Sequence, residues 1–259
     1  MNKIFNNFKK YRFLLAELVK KDIKLKYRRS YLGILWTLLE PLLTMIVLTI
    51  VFSNLLGKGD ESFPVYILTG RLLYSFFSNS TKAAMKAIRN NSAMIKKVYV
   101  PKYIYPLATV LSNYLIFLIS LIMLIVVAIV LHVQPTWHIF SAIIPLFLLL
   151  ILALGCGMIL STMAVFFRDL EYLWGVVLML IMYTSAIFYK VSALKIGNKV
   201  WIFQCNPLYS IIVNFRDAVL YGKSLNLNAL LISTAFSFGT LLIGMLLFYK
   251  NQDKFILNI

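Results

Sequence analysis

Six mainly apolar stretches, 32–56, 64–85, 103–131, 139–166, 171–189 and 226–249, fill more than half of the 259 positions. Each is close to or above the roughly 20 residues that an α-helix needs to cross a hydrocarbon layer. Such a chain has far more apolar surface than a domain of its length can hide from water. The expected class is therefore an all-α integral membrane protein with six transmembrane helices. Composition agrees, with 61% apolar residues and a mean hydropathy of +0.84, well above a soluble domain. The second stretch is the least clean, because Arg71, Ser75, Ser78, Asn79, Ser80 and Thr81 interrupt it.

Charge sets the expected orientation. The net formal charge is +17, although only 14% of residues are charged. Ten Lys and Arg fall between Lys3 and Arg29, and six more between Lys82 and Lys102, a loop without any acid. Basic segments beside apolar spans match anionic lipid headgroups and the positive-inside rule better than nucleic acid. An even number of spans then places both termini and the 82–102 loop in the cytoplasm. The 57–63 and 190–225 connections face outward, where Lys58, Lys190, Lys195, Lys199, Arg216 and Lys223 weaken the asymmetry without reversing it. The N-terminus does not read as a cleavable signal peptide, since no short apolar core and small-residue site follow its basic residues.

Two segments are neither span nor plain loop. Over 8–29, Leu15, Val19, Ile23 and Tyr27 recur every four residues with lysines on the other face. That is an amphipathic helix in the inner membrane interface, or else a solvated basic arm. In 190–225, Asn206-Pro207 divides two apolar pieces, each too short to cross. Proline suits the first turn of a helix and asparagine the N-cap before it. Two re-entrant helices over 199–222 would fit, and so would an external surface helix. Arg216 and Asp217 lie in the second piece, and charge at membrane depth must be paired or wetted. The lumen side of a water-lined gate would satisfy them.

The residues of enzyme chemistry are missing. No G-x-x-x-x-G-K-[ST] phosphate loop occurs, so no nucleotide hydrolysis by that route is expected. No nucleophile stands with a base, and no catalytic residue is assigned. His132 and His138 flank an external turn, and Cys156 and Cys205 lack disulfide or metal spacing, so no metal site or cofactor is expected in the chain. Glu40, the one acid well inside a span, should face the bundle or a hydrated cavity. Arg71 either snorkels to the outer interface or binds a phosphate or other anion. Arg168, Asp169 and Glu171 crowd the tight turn between the fourth and fifth stretches, as a local ion pair or facing a cytoplasmic partner. Trp36, Tyr74, Phe77, Trp174, Tyr183 and Phe188 read either as interfacial belt and packing or as a lining for sugar rings.

Three stretches carry a family resemblance. They are D-I-K-L-K-Y-R-R-S-Y-L-G-I-L-W from Asp22 with the following Pro41, F-F-R-D-L-E from Phe166, and N-P-L-Y-S-I-I-V-N-F-R-D-A-V-L-Y-G from Asn206. In order and over essentially the whole chain, it resembles the ABC-2 type permeases of polysaccharide exporters, which serve O-antigen, capsule or teichoic acid. The resemblance implies a homodimer in the bacterial cytoplasmic membrane, bound to two copies of a separate ABC ATPase that holds ATP and Mg. It implies a lipid-linked substrate, a glycan on a polyprenyl-pyrophosphate carrier. Outer gate helices map onto 199–222, with Asn206, Pro207, Arg216 and Asp217 at the gate. A coupling helix maps onto 87–99. There Asn90, Asn91 and Ser92 would contact the ATPase at the tip, and Met94, Ile95 and Val98 would present an apolar face. Arg168 and Asp169 would join them from the next turn. A glycan path would draw on Trp36, Arg71, Tyr74, Phe77, Trp174, Tyr183 and Phe188. Arg71 departs from the pattern, since the family has an uncharged residue there. Two other readings stay open: an ABC-2 permease for a lipid or drug, and a membrane-embedded glycan-modifying enzyme. The short 57–63 loop argues against the first. The second would need polar catalytic residues gathered on one face.

Overall fold

The computed structural model describes residues 2–28, 30–56, 62–97, 100–134, 136–191 and 201–258. Among them there is no strand. The helices in order are α1 (Asn2–Tyr27), α2 (Trp36–Leu56), α3 (Phe63–Asn90), α4 (Ser92–Lys97), α5 (Ile104–Val130), α6 (Ile143–Phe166), α7 (Leu170–Thr184), α8 (Trp201–Gln204), α9 (Pro207–Val219), α10 (Leu227–Asn251) and α11 (Phe255–Asn258). Short 3-10 turns, Gly33–Leu35 and Trp137–Ala142, lead into α2 and α6.

Four helical segments are long and apolar enough to cross a membrane: Gly33–Phe52, Ile104–Val130, Trp137–Phe166 and Leu227–Lys254. The other two expected spans differ for separate reasons. The 28-residue α3 carries Arg71, Lys82, Lys86 and Arg89, so its mean apolarity is low. It is also the hub, packed on α2, α5, α6, α7 and α9, and Val65, Leu68, Leu73, Ala84 and Ile88 are completely buried. Of its four basic residues, Arg71 and Arg89 are half-buried against these neighbours, whereas Lys82 and Lys86 are exposed. The second exception is α7, with 15 residues. The sequence predicts a span to 189, but the helix stops at Thr184 because Ala186 takes a left-handed φ of 47°, which a right-handed helix cannot contain.

The tightest helix pair is α6 with α10. A Cβ on Gly155 would lie 2.4 Å from the Leu241 nitrogen, and one on Gly244 would lie 2.6 Å from the Gly155 carbonyl oxygen. Small residues let two backbones approach where lipid supplies no hydrophobic drive. The Ser237 hydroxyl donates to the Leu148 carbonyl across the same contact at 3.1 Å.

At one end of the bundle α1 lies against α5, with Leu18 and Val19 buried beside Ile104, Tyr105 and Ala108. The Thr109 hydroxyl donates to the Asp22 carboxylate at 3.2 Å. Burial raises the Asp22 carboxyl above its ordinary pKa, against the lowering effects of that bond and of Lys21. The predicted 87–99 helix is divided. α3 continues to Asn90, the chain breaks at Asn91, and α4 follows. The Asn91 side-chain amide donates to the Ala87 carbonyl at 2.8 Å, beside the Asn91 backbone N–H, which reaches the same oxygen at 3.3 Å.

Candidate functional site

Two clusters of polar side chains stand out at opposite ends of α3, with a cavity between them.

The first surrounds Arg216. It is 3% exposed. Its Nη1 donates to the Ala186 carbonyl at 3.0 Å. Nη2 donates to Tyr66 at 2.9 Å and Ile187 at 3.3 Å, and Nε donates to the Thr69 hydroxyl at 3.3 Å. The guanidinium also lies over the Tyr66 ring, 3.5 Å from its centroid. The Tyr66 hydroxyl in turn donates to the carbonyls of Ala186 and Tyr189 at 3.1 and 2.7 Å. The expectation of a wetted charge on a lumen face is therefore corrected: Arg216 is buried, and backbone carbonyls satisfy it. The physical reason is the buried turn after α7, whose Ala186 and Ile187 carbonyls lie outside any helix and need donors. A planar five-donor group can serve several of them at once. Asp217 is half-buried and its pKa is raised by burial, against the lowering effect of Lys223.

Asn206 closes the same corner. Its Oδ1 accepts from the Leu208 N–H at 3.0 Å, capping α9 with Pro207 in the first turn. Its Nδ2 donates to the hydroxyls of Thr184 and Ser185, both at 3.0 Å. One amide thus joins the start of α9 to the end of α7. Phe188 stacks on Phe52 of α2, with ring centroids 5.1 Å apart.

The second cluster lies at the far end of α3. Glu171 at the start of α7 pairs with Lys86 at 2.7 Å and with Arg89. The alternative of a local ion pair within Arg168–Glu171 is not what forms. Among the described residues Arg168 and Asp169 make no ion pair, and both are exposed. Asn90 and Met94 are exposed, Asn91 and Ser92 are half-buried, and Ile95 is buried against α1 and α5. Ile95 is thus part of a core and is not on an open apolar face. Val98 lies outside the described residues, as do positions 199 and 200 of the 199–222 segment.

Between the clusters, a cavity of about 310 Å³ lies among the end of α1, α2, α3 and α5. Thr37, Glu40 and Thr44 face it from α2 at helical spacing, and Arg71, Ser75 and Asn79 do so from α3. Asn113 and Ser120 complete it from α5, and Trp36 stands at its rim with Lys26. The Lys26 ammonium is drawn below its ordinary pKa by burial, with the Glu40 carboxylate acting in the opposite direction. The regular four-residue spacing of 71, 75 and 79 was the sequence signal for this lining; the residues read singly as interruptions.

The seven residues expected along a glycan path do not meet in one place. Trp36 and Arg71 line this cavity. Phe77 and Trp174 line another, of about 350 Å³, which Asn206 and Pro207 also border. The Trp174 indole donates to the Thr81 hydroxyl at 3.1 Å. Tyr74 is buried, its hydroxyl donating to the Leu178 carbonyl at 3.0 Å. Phe188 is buried, whereas Tyr183 is exposed. Nothing among the described residues gathers three or more His, Cys, Asp or Glu as a metal site would.

The family model described as ABC-2 type transporter matches residues 14–220. Among curated proteins the chain is 30% identical over 250 residues to the O-antigen export system permease protein RfbA of Klebsiella pneumoniae, covering 93% of each chain. It is 28% identical over 226 residues to the protein of that name from Myxococcus xanthus, covering 87% of this chain and 86% of the relative. The polysialic acid transport protein KpsM of Escherichia coli is 23% identical over 255 residues, covering 96% of this chain and 97% of that one.

Proposed function

The chain belongs to the ABC-2 type transporter family, and from that premise we propose that it is the permease subunit of an ATP-driven polysaccharide exporter. The proposed substrate is a polyprenyl-pyrophosphate-linked glycan of the O-antigen or capsule class, moved outward across a bacterial cytoplasmic membrane. The observation that carries this reading is the end-to-end likeness to O-antigen export permeases, 93% of both chains in one case.

Six spans would be α2, α3, α5, α6, α7 and α10. α3 would cross as the central helix of the bundle, packed on α2, α5, α6, α7 and α9. The 15 residues of α7 reach only about 22 Å at 1.5 Å per residue. The buried turn after Thr184 extends that reach. Two copies of the chain would meet through faces left apolar and exposed, Leu43, Val47 and Ile50 on α2 and Leu173, Val176 and Leu180 on α7. Both termini would be cytoplasmic, following the basic residues of α1 and of 82–102. ATP and Mg would be held by a separate ATPase seated against Asn90–Met94, with Val98, Arg168 and Asp169 beside it. Ile95 would act from beneath, as the core contact of α4. α8 and α9 would form the outer gate, with Asn206, Pro207 and Arg216 fixing its frame and Asp217 at its edge. The glycan would pass between the two copies, near Trp174, Tyr183 and the Phe77 cavity.

Deletion of this chain in its own host tests the reading. Surface glycan should disappear while lipid-linked glycan accumulates inside the cell, and a plasmid copy should restore export. Unchanged surface glycan in the deletion strain would refute it.

A further inference from the structure

The cavity between α2, α3 and α5 has chemistry that helix packing does not use. Arg71, Ser75 and Asn79 form a single row of donors along α3, each one helical turn from the next. Among the described residues none of the three side chains makes a hydrogen bond or ion pair within the protein. Asn113 faces the row from α5, with one amide hydrogen committed to the Thr109 carbonyl at 2.8 Å. Lys26 and Glu40 occupy the α1 end without an ion pair within 4 Å. Two cations and one carboxylate leave the cavity with one positive charge in excess.

A positive charge at membrane depth needs water or an anion. The volume of about 310 Å³ corresponds to about ten waters at liquid density, which is room for a phosphate or diphosphate group. The carboxylate of Glu40 is at the α2 wall and repels an anion from that side, leaving the α3 row as the binding side. Pro41 of α2 and Ile116 and Phe117 of α5 line the same cavity, an apolar wall against which the start of a hydrocarbon tail can lie. Charge, donors and apolar flank together match one ligand chemistry.

We infer that this cavity binds the phosphate group of a lipid, with Arg71 as its main ligand and Ser75 and Asn79 as neutral donors. Two sources share that chemistry, an isoprenoid diphosphate carrier and a membrane phospholipid. The carrier source rests on the export reading and the phospholipid source does not. The bound phosphate supplies the counter-charge that the protein itself does not give Arg71.

The test is lipid titration of the delipidated, purified chain in detergent, followed by native mass spectrometry. The probes are a polyprenyl diphosphate, phosphatidylglycerol and the uncharged polyprenol. At least one phosphate-bearing probe should bind to the wild-type chain. Loss of one charge-assisted contact in R71Q should weaken that binding about tenfold. N79L should weaken it less, R71K should restore most of it, and K223Q, which removes a cation elsewhere, should bind as wild type. Preference for the diphosphate identifies a carrier site, and equal or better binding of phosphatidylglycerol identifies a resident lipid. Equal binding of polyprenol and its diphosphate, or wild-type affinity in a folded R71Q, overturns the inference. Folding is checked by elution volume and melting midpoint. The measurement uses neither ATP nor a partner, so its failure is separate from failure of the export reading, which the deletion strain decides.

Discussion

Arg216 illustrates how far one residue can depart from the environment its letter suggests. A charge in an apolar stretch predicts water, yet its ligands are carbonyls from Tyr66, Ala186 and Ile187 and a hydroxyl from Thr69. Carbonyls have no sequence signature, and these partners are about 30 and 150 positions away, so no local pattern could announce them. Replacing Arg216 by Met should leave the buried Ile187 carbonyl unpaired, at about 1–3 kcal/mol, and the Ala186 carbonyl with the Tyr66 hydroxyl as its remaining donor. The melting midpoint in detergent should fall sharply, and R216K should recover only part, because an ammonium cannot copy the planar fork. Gly70→Ala attacks the same contact from below, since its Cβ would come within 2.5 Å of Nη2. The double variant R216M with G70A should therefore be much less damaging than the sum of the two, as expected for residues sharing one interaction. Additive loss would separate them.

At the scale of elements, the apolar runs made the existence of most helices legible. Their ends were legible only where turn chemistry is written in the sequence. Asn206-Pro207 marked the start of α9 because both residues have a positional meaning there. The end of α7 had no such mark: after Thr184 and Ser185 the apolar run resumes with Ala186, Ile187 and Phe188, and tertiary bonds hold the turn. Asn206→Ala should cost about 1 kcal/mol for the lost cap, and more if the bonds to Thr184 and Ser185 also count. Thermal melts should rank it below R216M in severity. The α6–α10 contact gives a sharper case. Gly155→Leu puts a side chain where the Leu241 backbone already stands, so the helices must separate. Cysteine pairs placed across this seam should crosslink in the parent chain and fail in G155L. Glu171 links α3 to α7 through Lys86 and Arg89. E171Q should remove that tie with little loss of melting temperature, since the ions are partly exposed and screened. Its signature should be faster proteolysis near 168–171.

For the whole molecule, the sequence was informative about class and family and much less so about the site. The reason is physical: apolar length and basic clustering are properties of segments, whereas cavities form where distant helices meet. Arg71, Ser75 and Asn79 looked like flaws in one span until α2 and α5 closed over them. Topology is tested with single cysteines in a chain lacking Cys156 and Cys205. An impermeant thiol reagent applied outside intact cells should label position 224 and should not label position 93; the reverse pattern would invert the protein. The Arg216 clamp has one more consequence, which concerns time. A chain is made from its N-terminus, so Tyr66 and Thr69 enter the membrane well before residue 216 is synthesised, and the turn at 186–187 precedes it by about 30 residues. For that interval their acceptors lack the guanidinium, and α3 and α7 are held at this corner by Tyr66 alone. The last step of assembly is then the arrival of α9, and a chain ending at 206 should be inserted yet remain open to protease and quality control.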